Sequence, residues 1–260
     1  MKMNLYIILW MILTVHISAQ IRVACAANMQ FTIREIIEVY TEKTGNQVQP
    51  VFSSSGKLAT QIMHGAPFDV YVSADMEFVE KLYANNMAVN PPRKYAKGRL
   101  VLWSTRMEQL EVSKDFLLKN EVKTIGIGDP KVTIYGPAAL QVLTQIGVLE
   151  QIQTKFVYGD NIGTVAKYIV EGNVDVGLAN LSFVTFGPMA GRGAYIEIDA
   201  SLYEHLPQGA AVLQYGQLNN PVESQAFFEF LYGPESRTIL ERHGYGLPTL
   251  KLNSEDNLRK

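Results

Sequence analysis

The chain has 260 residues, 47% of them hydrophobic and 18% charged, with a formal net charge of -2 at neutral pH. That length and balance suit a folded protein with two modest cores, exclude a disordered chain, and offer no polycation for nucleic acid. A single cysteine, Cys25, excludes a disulfide framework within the chain and a cysteine-based zinc cluster, and His16, His64, His205 and His243 stand singly without metal-ligand spacing.

The first residues carry Lys2, an apolar run from Leu5 to Val15, and Ile17-Ser18-Ala19 before Gln20. This is the charged, apolar and small-residue pattern of an export signal over residues 1–19, too short for a comfortable membrane span; a retained N-terminal anchor is the alternative. The mature chain is expected to start near Gln20, outside the cytoplasm. A lipid anchor on Cys25 is disfavoured, because Ile21 to Cys25 reads as the first core strand and Arg22 interrupts the apolar approach.

From Gln20 onward strand and helix alternate. A strand at Ile21 to Cys25 precedes a helix from about Met29 to Glu42, with Ile33, Ile36, Ile37 and Tyr40 on one face and Thr44-Gly45 as its stop. A strand at Val48 to Phe52 leads into Ser53-Ser54-Ser55-Gly56, where Leu58, Ile62 and Met63 recur at helical spacing behind the serine caps. Gly65-Ala66-Pro67 breaks that helix, Phe68, Val70 and Val72 read as a buried strand, and Ser73-Ala74-Asp75 caps a helix from Met76 to Asn85. The polar, stiff Asn90-Pro91-Pro92-Arg93-Lys94 separates this part from a strand at Leu100 to Ser104.

A second series follows: a helix near Asp115 to Lys119, a strand at Thr124 to Gly128, a helix at Pro137 to Ile146, a strand at Lys155 to Tyr158, a helix at Ile162 to Glu171 and a strand at Val174 to Ala179. Strand signals return between Tyr195 and Leu213, and helices close the chain at Ser224 to Leu231 and Pro234 to Arg242. Such alternation implies an α/β protein whose mostly parallel sheets are covered on both sides, with ligand sites at the carboxyl ends of the strands. Asn28 and Ser55 sit at such ends. A serine-capped helix start holds unpaired N–H groups and the positive end of a dipole, so it can receive an anion without a countercharge.

The run SSSGKLATQIMHGAPFDVYVSAD, ending at Asp75, resembles the signature of the molybdate-binding proteins that feed ABC transporters. Weaker similarity runs through Gly128-Asp129-Pro130, Asp160-Asn161-Ile162-Gly163 and Phe227 to Gly244, so it covers nearly all the mature chain. The resemblance implies a two-lobed, type II periplasmic-binding-protein-like fold, with one lobe from residues 20–97 plus 206–260, the other from 98–205, and a cleft between them. It implies capture of molybdate or tungstate, with no cofactor, no direct metal-ion ligand and no catalysis, and delivery by a monomer to the membrane permease of an ABC transporter. Sulfate or phosphate is the alternative ligand.

Carried over by position, the ligand set is Asn28, Ser55, Tyr135, Ile162 and Asn180, with Tyr135 and Ile162 offering backbone N–H groups. Asn28 and Asn180 depart from the family pattern, which has a serine at the first and often a tyrosine at the second. Each position has a structural rival: Ser55 and Asn28 as helix caps, Tyr135 as packing, Ile162 as core, and Asn180 as a turn residue. Asp75, Asp129 and Asp160 read as caps rather than catalytic acids, since nothing pairs them into a dyad.

Other function classes fit poorly. Ser54-x-x-Lys57 and Lys43-Thr44-Gly45 occur in the wrong order for an acyl-serine enzyme, and no Ser-Asp-Asn is present. Gly56-Lys57 is followed by Leu58 and lacks the earlier glycine of a phosphate loop, while Gly126-Ile127-Gly128 lacks a third glycine. A sensing domain of a transcription regulator would need a DNA-binding domain for which the chain has no room. A cell-surface scaffold remains the non-binding alternative.

Overall fold

The computed structural model describes residues 20–248. The expected export signal over residues 1–19 lies outside them. Among the described residues ten strands form two five-stranded sheets. They are β1 (Ile21–Ala26), β2 (Val48–Ser53), β3 (Val70–Ser73), β4 (Arg93–Gly98), β5 (Leu100–Ser104), β6 (Ile125–Gly128), β7 (Phe156–Gly159), β8 (Val176–Asn180), β9 (Ala194–Glu197) and β10 (Leu206–Val212). The helices are α1 (Thr32–Thr44), α2 (Ser55–Met63), α3 (Met76–Ala84), α4 (Lys114–Leu118), α5 (Tyr135–Gln145), α6 (Leu149–Ile152), α7 (Ile162–Val170), α8 (Ser182–Thr185), α9 (Gln214–Asn219), α10 (Pro221–Phe230) and α11 (Pro234–Arg242). Among the described residues no helix is long and apolar enough to cross a membrane.

The first sheet has the order β2-β1-β3-β10-β4 and the second β7-β6-β8-β5-β9. In each, the strands joined through helices pair in parallel: β1 with β2 and β3, and β6 with β7 and β8. The strands that bring the chain across from the other sheet need no helical crossover and pair antiparallel, β10 with β3 and β4, and β5 with β8 and β9. The chain leaves the first sheet at Gly98 and enters the second at Leu100, then returns between Glu197 and Leu206.

Strand β4 was not legible in the sequence, because its first residues, Arg93 and Lys94, are exposed on a sheet edge and only Tyr95, Ala96 and Gly98 turn fully inward. Cys25 is wholly buried in β1 and its thiol is pushed up by desolvation, in keeping with a core rather than an anchoring role. Each sheet has its own apolar core. One gathers Ile21, Ile33, Val72 and Phe227, and the other Trp103, Ile127, Val165 and Phe183. Burial of side chains of this size stabilises by about 1.5–3 kcal/mol each. Rigid strands therefore present their carboxyl ends, and the helix starts that follow, at fixed positions.

Candidate functional site

The carboxyl ends of β1, β2, β6 and β7 meet at one cavity, lined by Ala26, Ala27, Asn28, Ser54, Ser55 and Ala74 from the first sheet's side and Thr133, Tyr135, Asn161 and Ile162 from the second's. No charged side chain is among them. The cavity measures about 10 Å³, far below the roughly 300–1,000 Å³ of pockets that take organic ligands. That is about the size of one water, so the two sides are closed together, and an ion larger than that enters only as they part.

Four helical starts converge here. The turn Ala27–Met29 follows β1 directly, α2 begins at Ser55, α5 at Tyr135 and α7 at Ile162. The first N–H groups of a helix have no partner within it, so the lining offers backbone donors and the positive ends of several dipoles. Such a surface stabilises negative charge without a cation.

The serines divide their work. Ser54 is the N-cap of α2, its Oγ accepting from Lys57 N, so the capping role considered for Ser55 belongs to its neighbour. Ser55 Oγ accepts instead from the Ala74 N–H at 3.0 Å, which fixes the hydroxyl and leaves its proton to donate to a guest. Asp75 caps α3 as expected, accepting from Glu77 N at 2.9 Å. Asp160 does not cap α7: Asn161 does, through Oδ1 to Thr164 N. The Asp160 carboxyl accepts from Lys57 Nζ at 2.6 Å and from Thr164 Oγ1, and Lys57 holds it below the usual carboxylate range. Lys57 follows β2 and Asp160 follows β7, so this pair bridges the two sides of the cavity.

Four of the five sequence-derived positions, Asn28, Ser55, Tyr135 and Ile162, come together on the lining. Asn180 does not line it. It lies behind, 1% exposed, donating from Nδ2 to Ser182 Oγ at 2.6 Å and to Tyr245 Oη at 3.0 Å. Asn28 caps nothing; its side chain sits in a buried network. Its Nδ2 lies 3.0 Å from Gln208 Oε1 and 3.3 Å from both Tyr135 Oη and Tyr245 Oη, while the Asn28 backbone carbonyl accepts from Tyr245 Oη at 2.8 Å. The Tyr135 phenol is engaged with Asn28 and with Gln208 Nε2 at 3.1 Å, and the Tyr135 N–H donates to Thr133 Oγ1 at 3.3 Å. Burial pushes the phenols of Tyr95, Tyr135 and Tyr245 far above their ordinary range, so they stay protonated.

Sequence reasoning missed Ala27, Thr133, Asn161, Gln208 and Tyr245. Asn161 was visible in principle as a helix cap before an apolar run. Nothing local marks Gln208, which is a polar residue inside a strand and 0% exposed.

Across the cavity the two sides touch. Besides the Lys57–Asp160 pair, Ser182 Oγ donates to Asn28 O, Phe31 meets Phe183 edge to face at 5.9 Å, and Phe186 stacks on His243 at 3.5 Å. Two α/β halves closed over a small, uncharged, donor-lined cavity define a solute-binding protein, an architecture for enclosing a ligand rather than for turning one over. The chain belongs to the bacterial extracellular solute-binding proteins, whose family model matches residues 21–246. It is 34% identical to the molybdate-binding protein ModA of Azotobacter vinelandii over 88% of this chain and 91% of that one. It is also 34% identical to the protein of the same name from Rhodobacter capsulatus, over 88% of each. The solved periplasmic molybdate-binding protein of Azotobacter vinelandii superposes with a TM-score of 0.82 at 28% identity, over 88% of this chain and all of that one.

Proposed function

We propose that the protein captures a fully deprotonated tetrahedral oxyanion, molybdate or tungstate, outside the cytoplasm and presents the closed form to the permease of an ABC transporter. The observation that carries this reading is the uncharged cavity built from helix starts on both sides. A dianion without protons only accepts hydrogen bonds, so it fits a lining of donors, and an inward carboxylate would be costly. The relatives named for molybdate support the choice of ion.

On this reading residues 20–97 plus 206–248 form one lobe and 98–205 the other, and residues 249–260 of the expected lobe lie outside the described residues. Asn28 and Ser55 bind from the first lobe, and the N–H groups at Tyr135 and Ile162 from the second. Asn180 acts behind the site by holding Tyr245. Contacts from both lobes give the ion higher affinity for the closed form, and binding shifts the population toward it. Donor chemistry is alike for molybdate and sulfate, so cavity size separates them. Calorimetry on the monomeric mature chain with molybdate, tungstate, sulfate and phosphate tests the proposal. Tight binding of the first two is expected, whereas sulfate or phosphate binding with molybdate silent overturns the choice of ion, and silence from all four overturns oxyanion binding itself.

A further inference from the structure

In the buried network behind the cavity two of the amides, Asn28 and Gln208, are joined to each other at 3.0 Å and to the phenols of Tyr95, Tyr135 and Tyr245. An amide has a donor side and an acceptor side, so the hydrogen bond between these two couples their orientations. In one setting Asn28 Nδ2 donates to Gln208 Oε1. Tyr135 Oη then accepts from both amides, its own proton meeting no acceptor among them, and Asn28 Oδ1 is left buried with no partner at all. A buried carbonyl oxygen without a partner is costly, and beside an anion its negative end also repels.

Turning both amides by half a revolution exchanges oxygen and nitrogen at the same positions. Gln208 Nε2 then donates to Asn28 Oδ1 over 3.0 Å and to Tyr95 Oη over 2.9 Å. Gln208 Oε1 accepts the Tyr135 proton over 3.1 Å, and Tyr95 passes its own proton to Ser73 O at 3.2 Å. Every member of the network but the Asn28 NH₂ is now paired: Tyr245 loses the Asn28 donor but keeps that of Asn180 and gives its own proton to the Asn28 backbone carbonyl. The Asn28 NH₂ takes the place of the orphaned oxygen, with two hydrogens for a guest. The network's one outstanding need is an acceptor, which an oxyanion supplies.

We propose that Gln208 is a specificity-determining positioning residue: anchored by Tyr95 and Tyr135, its amide turns the Asn28 nitrogen toward the ligand and so selects oxyanions that carry no proton. This rests on the oxyanion reading above and deepens it. In the turned setting the lining has no free side-chain carbonyl, since Asn161 Oδ1 is taken by its cap. A ligand hydroxyl, as on hydrogen phosphate, then finds no side-chain carbonyl to accept its proton, and the hydroxyl oxygens of Ser54, Ser55 and Thr133 already each accept a backbone N–H. Size alone cannot do this, because sulfate and phosphate are nearly the same size.

The test is the ratio of sulfate or molybdate affinity to phosphate affinity at pH 6, where phosphate keeps protons and the other two do not. Wild type is expected to prefer the aprotic ions by at least about a hundredfold. Gln208→Met removes both anchors at similar volume and frees Asn28 to present its oxygen. The aprotic ions should weaken by about tenfold while phosphate holds or improves, so the ratio falls by tenfold or more. Tyr95→Phe, which deletes one oxygen and serves if the first variant does not fold, should move the ratio the same way by a smaller factor. An equal loss for every ion, leaving the ratio within twofold of wild type, makes Gln208 a packing residue and overturns the proposal. Wild type binding sulfate but not molybdate would defeat the molybdate reading alone, with the ratio still decisive, whereas wild type binding no oxyanion defeats both.

Discussion

Ser55→Ala separates a ligand donor from a structural serine. In the structure Ser55 Oγ accepts the Ala74 N–H at 3.0 Å and keeps its own proton for the cavity, so the substitution removes two hydrogen bonds of different kinds. The bond to a charged ligand is worth about 1.5–3 kcal/mol. At about 1.4 kcal/mol per factor of ten, Kd should rise from roughly tenfold to beyond a hundredfold. The second loss leaves the Ala74 N–H buried without an acceptor and costs about 1–3 kcal/mol of stability. Ser55 and Ala74 lie on the same side of the cleft, so this cost appears in the unliganded protein too. For a chain of this size each kcal/mol lowers Tm by about 2–4 °C. Calorimetric titration with molybdate beside thermal unfolding of the unliganded protein reads the two effects independently. A lowered Tm with Kd within twofold of wild type would show that Ser55 only tethers Ala74, and would remove it from the site.

Three further outcomes follow from the same geometry. Lys57→Ala breaks the ion pair to Asp160 that bridges the cavity; both side chains are about half exposed, so the loss should stay below about 1 kcal/mol, appear as a faster ligand dissociation rate, and shrink at high salt. An unchanged rate in stopped-flow measurements would mean the pair forms no latch. Gly98→Ala would set a Cβ 2.5 Å from Tyr135 Oη and 2.8 Å from Gln208 Nε2, displacing the network behind Asn28, so ligand affinity should drop by tenfold or more; wild-type affinity would show that the network can shift freely. His243 is buried against Phe186 and faces Glu35, and burial together with the adjacent Arg242 presses it from 6.5 down to about 4. Because the unfolded chain binds that proton first, the stabilisation is whole above about pH 6.5 and is lost as pH falls toward 4, at about 1.4 kcal/mol per unit. Denaturant titrations of wild type and His243→Gln across that window should show a shallower pH slope for the variant, and equal slopes would contradict the assignment.

The parts that could be read in the sequence are those governed by local pattern. Apolar periodicity located β1, β3, β5, α1, α7 and α11 to within a few residues, and glycine, proline and serine punctuation placed the helix starts where the cavity forms. The parts that could not be read depend on contacts across the chain. Strand β4 is an edge strand whose burial is imposed by β10, more than 100 residues later. Ser54 and Ser55 are adjacent hydroxyls with equal claim to the cap, and only the Ala74 N–H, brought in by β3, tells them apart. Asp160 and Asn161 posed the same choice, and Lys57 from the other side of the cavity decided it. Asn180 stood at a strand end like the others, yet Tyr245, some 65 residues on, draws its amide away from the cavity. Gln208 left no trace in the pattern, since a lone polar residue in an apolar strand gains meaning only from its partners.

The central claim is that neutral donors on both sides of one cavity hold a deprotonated oxyanion, and anomalous diffraction from crystals grown with tungstate tests it most directly. The account predicts a single tungsten peak inside the cavity. Its oxygens should lie at about 2.7–3.1 Å from Ser55 Oγ, the Asn28 amide nitrogen and the Ile162 backbone nitrogen. Tungsten bound elsewhere, or held by a lysine or arginine drawn into the cavity, would contradict it.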